Sequence, residues 1–418
     1  MVASAVLVAL SLLLLVTKWY GDQIYTLAAL PAYFGHLFVS LVVLPRLPYT
    51  WDIGQFHSVA TALVSGKLAS ASSTVTSYGT FQGFLYVFFP AQPETVAVFN
   101  GLFAVLVYIP IVYLYRSLYP WMKHHNYGVM VLILYLPLPF LFTSLPMRDA
   151  LSVFSFFSLL AIGLYALQEQ NTIVGLTTVP LWAIIYLFRP ELGLITLLGF
   201  GAAASVNVIR SLEWDLSVPS LAVVFGGLGA VGFGLFAELL YSFERVNAQL
   251  AYRAKGGAVY LDGMQYSSWF DFLLAAPGRA LYFLFTPFPL HVESVFHLLA
   301  FTAIPLAIVL FISAVRSLYK CEFDETVAVL FVTIFLAGIA GYGAINSNFG
   351  TGVRHRIVFD FLLIIIAAPV ILRWQLRVGE WFGILPRHRS EHNKKQGETK
   401  KLDSYMQTRR QYPQKTED

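Results

Sequence analysis

Charge is scarce in this sequence, and cysteine is almost missing. Of 418 residues only 12% are Asp, Glu, Lys or Arg, about half the share a soluble domain carries on its wetted surface. No water-facing exterior can be built from so few charges, because 57% of the residues are hydrophobic and the mean hydropathy is +0.68. The single cysteine, Cys321, excludes an internal disulfide and a thiolate metal cluster, and its place in the charged connector 320–325 leaves the redox compartment unread. No Gly-rich phosphate loop ending in Gly-Lys-Ser/Thr and no outer His-x-x-x-His pair occurs, so no metal and no cofactor is expected. The net charge of +4 comes largely from the C-terminal tail, which points to a membrane surface or solvent and not to nucleic acid.

What the chain has in excess is apolar runs. Segments such as 2–17, 24–44, 96–115, 218–240 and 327–344 approach the ~20 residues that cross hydrocarbon. They must be helices, because lipid offers backbone groups no partner, and they lack the alternation of a transmembrane barrel. The expected fold is all-α: a polytopic transmembrane bundle of about eleven spans, near 2–17, 24–45, 95–115, 128–146, 150–167, 172–188, 191–208, 217–241, 295–315, 326–345 and 356–373, with interfacial helices in two outer loops. Residues 1–380 form the transmembrane domain, and 381–418 a basic, disordered tail. Met1 enters apolar sequence with no basic segment before it, so the first span is a poor signal peptide or its true start lies upstream. No internal repeat supports an inverted-repeat transporter.

The tail holds nine of the Lys and Arg residues, which places the C-terminus of a multi-pass cell-membrane protein in the cytoplasm. The long interruptions 46–94 and 242–294 then face outside, and the outer side carries ten cations against eight on the remaining cytoplasmic loops. Topology alone would have thinned those outer cations. Arg148 with Asp149, Arg189 with Pro190 and Glu191, and Arg354 with Arg356 all fall at outer helix junctions. Charges at membrane depth cost about 2.5–3.5 kcal/mol and are normally paired or functional. Singly, each arginine is explained by snorkelling to headgroups or by pairing with Asp149 or Glu191. Together, Arg148, Arg189, Arg354 and Arg356 read as a convergent anion site, since the planar guanidinium fork matches phosphate oxygens.

Asp52 stands just beyond an outer span end and opens a stretch in which Phe56, Val59, Ala60 and Leu63 recur at helical spacing, as in an interfacial amphipathic helix. Its carboxylate, beside low-dielectric lipid, suits a general base, and with Gln55 three residues on it also resembles a capping box. His57 is off its helical face, so no Asp-His pair is expected. In the second interruption, Pro287 and Pro289 break an aromatic run from Tyr282 to Leu290, which reads as re-entrant or interfacial.

These features resemble the membrane glycosyltransferases of the GT-C type, including the protein mannosyltransferase and aminoarabinose transferase groups. The resemblance lies in Asp52 with the amphipathic stretch ending at Gly66-Lys67, in Ser144-Leu145-Pro146-Met147-Arg148-Asp149-Ala150, and in Asn348 to Arg356 with Phe285-Thr286-Pro287-Phe288-Pro289 upstream. It implies transfer of a sugar from a polyprenyl-phosphate-linked carrier in the bilayer to a glycan, lipid or protein acceptor. Asp52 takes the place of the catalytic acid, the four arginines hold the phosphate, and Asp149, Glu191, His355 and His57 support them. The chain departs from the pattern in offering Asp52-Ile53 where many members carry two adjacent acids, and in lacking a large soluble outer domain. A polysaccharide polymerase or ligase, a transporter or flippase of an anionic lipid-linked substrate, and a non-catalytic assembly protein are the competing readings.

Overall fold

The computed structural model describes residues 2–46, 52–67, 71–122, 125–211, 243–254, 258–261 and 263–381. The expected span at 217–241 and the tail beyond residue 381 lie outside the described residues. Among the described residues the regular structure is helical, apart from one isolated bridge between Val259 and Asn348.

Among the described residues seven helices are long and apolar enough to cross a membrane: Ala3–Tyr20, Gln23–Arg46, Pro93–Leu118, Asp149–Gln168, Pro190–Arg210, His297–Lys320 and Glu325–Ile345. Two bent pairs, Tyr127–Tyr135 with Pro137–Ser144 and Phe349–Ile366 with Ala368–Trp381, raise the number to nine if each is one span. The chain is therefore a multi-pass membrane protein. The expected span at 172–188 is instead a shorter apolar stretch, divided at Thr177 into α10 (Thr172–Leu176) and α11 (Thr178–Phe188). The last expected span also shifts, because its helix, α18 (Phe349–Ile366), starts seven residues earlier than 356.

Prolines set the bends. Pro137 holds Leu136 extended at φ −61° and ψ 120°, so α7 (Tyr127–Tyr135) and α8 (Pro137–Ser144) meet at 48°. Pro369 supplies no N–H near the start of α19 (Ala368–Trp381), and the chain turns by 68° there. Side chains from elsewhere in the bundle bond the carbonyls on either side of this elbow: Tyr119 Oη donates to the Ile366 carbonyl at 2.7 Å and Asn126 Nδ2 to that of Ala368 at 2.8 Å. The core is built around α5 (Pro93–Leu106), α9 (Asp149–Gln168), α17 (Glu325–Ile345) and α18, while α1 (Ala3–Tyr20) turns residues such as Leu7 and Leu15 outward, as a lipid-facing helix does.

The first interruption folds as a helical hairpin of α3 (Ile53–Val64) and α4 (Ser73–Phe88). The face of α3 read as amphipathic buries Phe56, Val59 and Ala60 against α4. Gly79 and Gly83, one helical turn apart, let the backbones approach: a Cβ on Gly79 would lie 2.5 Å from Val59 Cγ1 and 3.3 Å from the Phe56 carbonyl oxygen. Gly79→Ala is expected to cost about 1–3 kcal/mol by overpacking. The check is the denaturation midpoint of the detergent-solubilised protein; an unchanged midpoint would mean that the α3–α4 contact does not depend on a glycine at position 79. The second interruption contains α13 (Phe243–Arg253) and α14 (Trp269–Phe285), the latter ending before the cis Thr286-Pro287 bond.

Candidate anion-binding site

Three helix junctions meet at one buried carboxylate. Pro190 ends α11 and starts α12 (Pro190–Ser211), leaving Arg189 extended between them at φ −147° and ψ 79°. Asp149 is the first residue of α9, where the helix dipole favours a negative charge. It is 1% exposed. Arg189 Nη2 donates to its Oδ1, and Arg354 Nε, from the first turns of α18, donates to its Oδ2 at 2.6 Å. Arg148, the residue before α9, donates from Nη1 to the Phe188 carbonyl at 2.9 Å, which closes the α8–α9 junction onto the α11–α12 junction.

The loop that carries Arg148 is pinned from beneath. Asn100 Nδ2 donates to the carbonyls of Leu145 at 2.6 Å and Met147 at 2.7 Å. Ser40 Oγ donates to the Ser144 carbonyl at 2.6 Å, and His36 Nδ1 lies 2.7 Å from Ser144 Oγ. Such bonds fix a guanidinium without using its own donors.

Asp52 belongs to this site, but not as a cap. Its side chain makes no hydrogen bond to the α3 backbone, so the capping-box reading fails; it turns instead to Arg354 Nη1, 3.3 Å from Oδ2. The carboxylate stays about half exposed, with a side-chain accessibility of 47%. His57 leans to the hairpin's other helix, with Nδ1 2.9 Å from Tyr86 Oη, and makes no pair with Asp52. Glu191 pairs at 3.4 Å with Arg253, a cation from the second interruption that the sequence reading does not single out. His355 is buried edge-on to Tyr342, ring centres 4.9 Å apart.

Arg356 is a correction. Two positions along a helix point about 200° apart, so Arg356 faces away from Arg354 and from the cluster. Its Nη1 donates to the carbonyls of Leu284 at 2.7 Å and Thr286 at 3.1 Å, and its Nε lies 3.4 Å from Asp360 Oδ2. Arg279 does a similar job from α14, donating to the carbonyls of Gly343 at 2.8 Å and Asn346 at 2.6 Å. These two arginines hold the broken aromatic run and the α17–α18 junction together.

The cluster carries more cation than anion at its buried level. Arg148, Arg189, Arg253 and Arg354 are all largely buried, and Asp149 is the one fully buried acid among the acids paired with them, Glu191 and Asp52 being partly exposed. Burial, then the neighbouring Arg189 and Arg354 charges, pull Arg148 down to about 10. Arg148 Nε, Arg253 Nη1 and Arg354 Nη2 are buried with no hydrogen-bond partner among the described residues. Buried donors without acceptors are costly; an arriving anion would relieve both the missing bonds and the charge excess. Comparison with family models, with curated proteins and with solved structures finds no match to this chain.

Proposed function

We propose that the protein is a membrane glycosyltransferase that moves a sugar from a polyprenyl-phosphate carrier to an acceptor on the extracytoplasmic face. The observation that carries the reading is the meeting of Arg148, Arg189 and Arg354 around Asp149, with an accessible carboxylate, Asp52, on the same guanidinium. In the reaction the acceptor oxygen forms a bond to the anomeric carbon, Asp52 takes the hydroxyl proton, and the bond from that carbon to the phosphate oxygen breaks with its electron pair leaving on the phosphate. Guanidiniums preorganised at the leaving oxygen stabilise that charge as it develops. The basic tail on the cytoplasmic side belongs to the same reading, because it sets the arginine junctions and Asp52 outside.

Asp52→Asn tests the assignment. It keeps the side-chain volume and removes the base, and transfer from a defined polyprenyl-phosphate sugar in proteoliposomes is expected to fall by about 10²–10⁴-fold, with the protein's yield and melting unchanged. Full activity would remove Asp52 from the chemistry and favour a polymerase or ligase that relies on arginines alone.

A further inference from the structure

The helix that carries Arg354 ends where the membrane does. The 18 residues of α18 rise about 27 Å from the arginine junctions at about 1.5 Å each, close to the ~30 Å of a hydrocarbon core, so the elbow at Ala367 lies at the opposite boundary. Other helices begin or end at the same level. Tyr119, the residue after α6 (Tyr108–Leu118), bonds the Ile366 carbonyl; Asn126, the cap of α7, bonds that of Ala368; and Asp324, the cap of α17, donates its N–H to the Leu118 carbonyl at 2.9 Å. Trp19 at the end of α1 and Tyr319 near the end of α16 (Ile304–Lys320) are 83% and 85% exposed, as in the aromatic belt of a membrane–water interface.

Beyond the elbow α19 departs by 68° and so runs along this boundary. Ile371 and Gln375, one turn apart, face the bundle: Ile371 is buried, and Gln375 Oε1 accepts from Gly128 N at 3.0 Å. On the opposite side Arg373, Leu376, Arg377 and Trp381, at i, i+3, i+4 and i+8, form an exposed stripe. Neither arginine is in an ion pair among the described residues. Guanidiniums interleaved with Leu and Trp match a layer that is anionic at its surface and apolar a few ångströms deeper. The charge continues along the sequence, with eight Lys or Arg against three acids between residues 373 and 401. We infer that this stripe of α19 binds the surface of an anionic phospholipid bilayer, its arginines on lipid phosphates and Leu376 and Trp381 in the boundary between headgroups and acyl chains. The site lies at the end of the bundle away from the arginine cluster and stands apart from the proposed reaction.

The test uses the full chain in phosphatidylcholine nanodiscs that contain a minor fraction of phosphatidylglycerol brominated on its acyl chains near the head. The signal of Trp381 is the fluorescence difference between the unmodified chain and Trp381→Phe. Brominated phosphatidylglycerol is expected to quench it as though enriched about fivefold or more beside the helix, whereas the same fraction of brominated phosphatidylcholine, with no anionic lipid present, quenches in proportion to its amount. Arg373→Gln with Arg377→Gln is expected to abolish the enrichment and to leave the quenching by brominated phosphatidylcholine as it was, which separates lost charge from a misfolded chain. Equal quenching of the unmodified chain by the two lipids would overturn the inference. So would an enrichment that survives the double substitution, since the tail would then attract the lipid without the helix. Quenching by neither lipid would also overturn it, the stripe then standing clear of the bilayer and open to a second copy or a soluble partner.

Discussion

Asp149→Ala is expected to lower the stability of the folded protein by about 3–5 kcal/mol, the range for removing one partner of a buried ion pair. Two arginines, Arg189 and Arg354, direct donors at this carboxylate, and it is 1% exposed, so neither solvent nor another acid can replace it. The loss comes from what is left behind: guanidiniums in a low-dielectric enclosure with their counter-charge gone. Arg189→Met in the same chain is expected to recover part of it, because one uncompensated cation is removed with its volume roughly kept. Added sulfate is expected to raise the melting temperature of Asp149→Ala more than that of the unmodified protein. A single-variant loss below about 1 kcal/mol, the size of an exposed pair, would show that water reaches the cluster, and the anion-site reading would lose its footing.

The second large effect separates two arginines that stand two residues apart. Arg354→Lys keeps the charge, but an ammonium cannot reach Asp149, Asp52 and an anion at once as the planar fork does. Binding of a lipid phosphate is expected to weaken by about 1.5–3 kcal/mol, roughly 10- to 150-fold. Arg356→Lys is expected to leave that binding unchanged and to lower the melting temperature instead, because its donors serve the Leu284 and Thr286 carbonyls. Equilibrium binding and thermal melting measured on both variants read the contrast. Equal losses of binding would place Arg356 in the site after all; equal retention would reduce Arg354 to a structural residue.

The apolar runs are legible because a span announces itself by length alone, and the three junctions are legible because arginine is so out of place at their depth. The spans that shifted did so for local reasons. Thr177 divides a run whose composition still reads as continuous, and α18 starts at Phe349, capped by the Asn348 side chain, which accepts from Thr351 N at 3.1 Å, within a stretch too polar to look like a span. The sequence puts Arg354 before the last expected span and Arg356 at its first residue, at one junction; because the helix already starts at Phe349, both lie inside it and point apart. Arg253 comes from a segment with several charges, and nothing in its spacing marks it as the one that reaches Glu191. Asn100 could have been found. An amide in the middle of an otherwise apolar run is expensive in a membrane, and here it holds the loop that carries Arg148.

The elbow at Ala367 sets where this molecule can yield. Tyr119 and Asn126 hydrogen-bond the Ile366 and Ala368 carbonyls on either side of it, both bonds buried, so a change of angle there must break or move two buried hydrogen bonds. The α3–α4 hairpin meets the arginine junctions through the Asp52–Arg354 pair, half open to solvent, and through the buried Tyr78 and half-buried Phe81, whose ring centres lie 5.5 and 6.3 Å from that of Phe188, the residue before Arg189. Lifting the hairpin would therefore cost the burial of those rings as well as the exposed ion pair, which alone is worth about 0–1 kcal/mol.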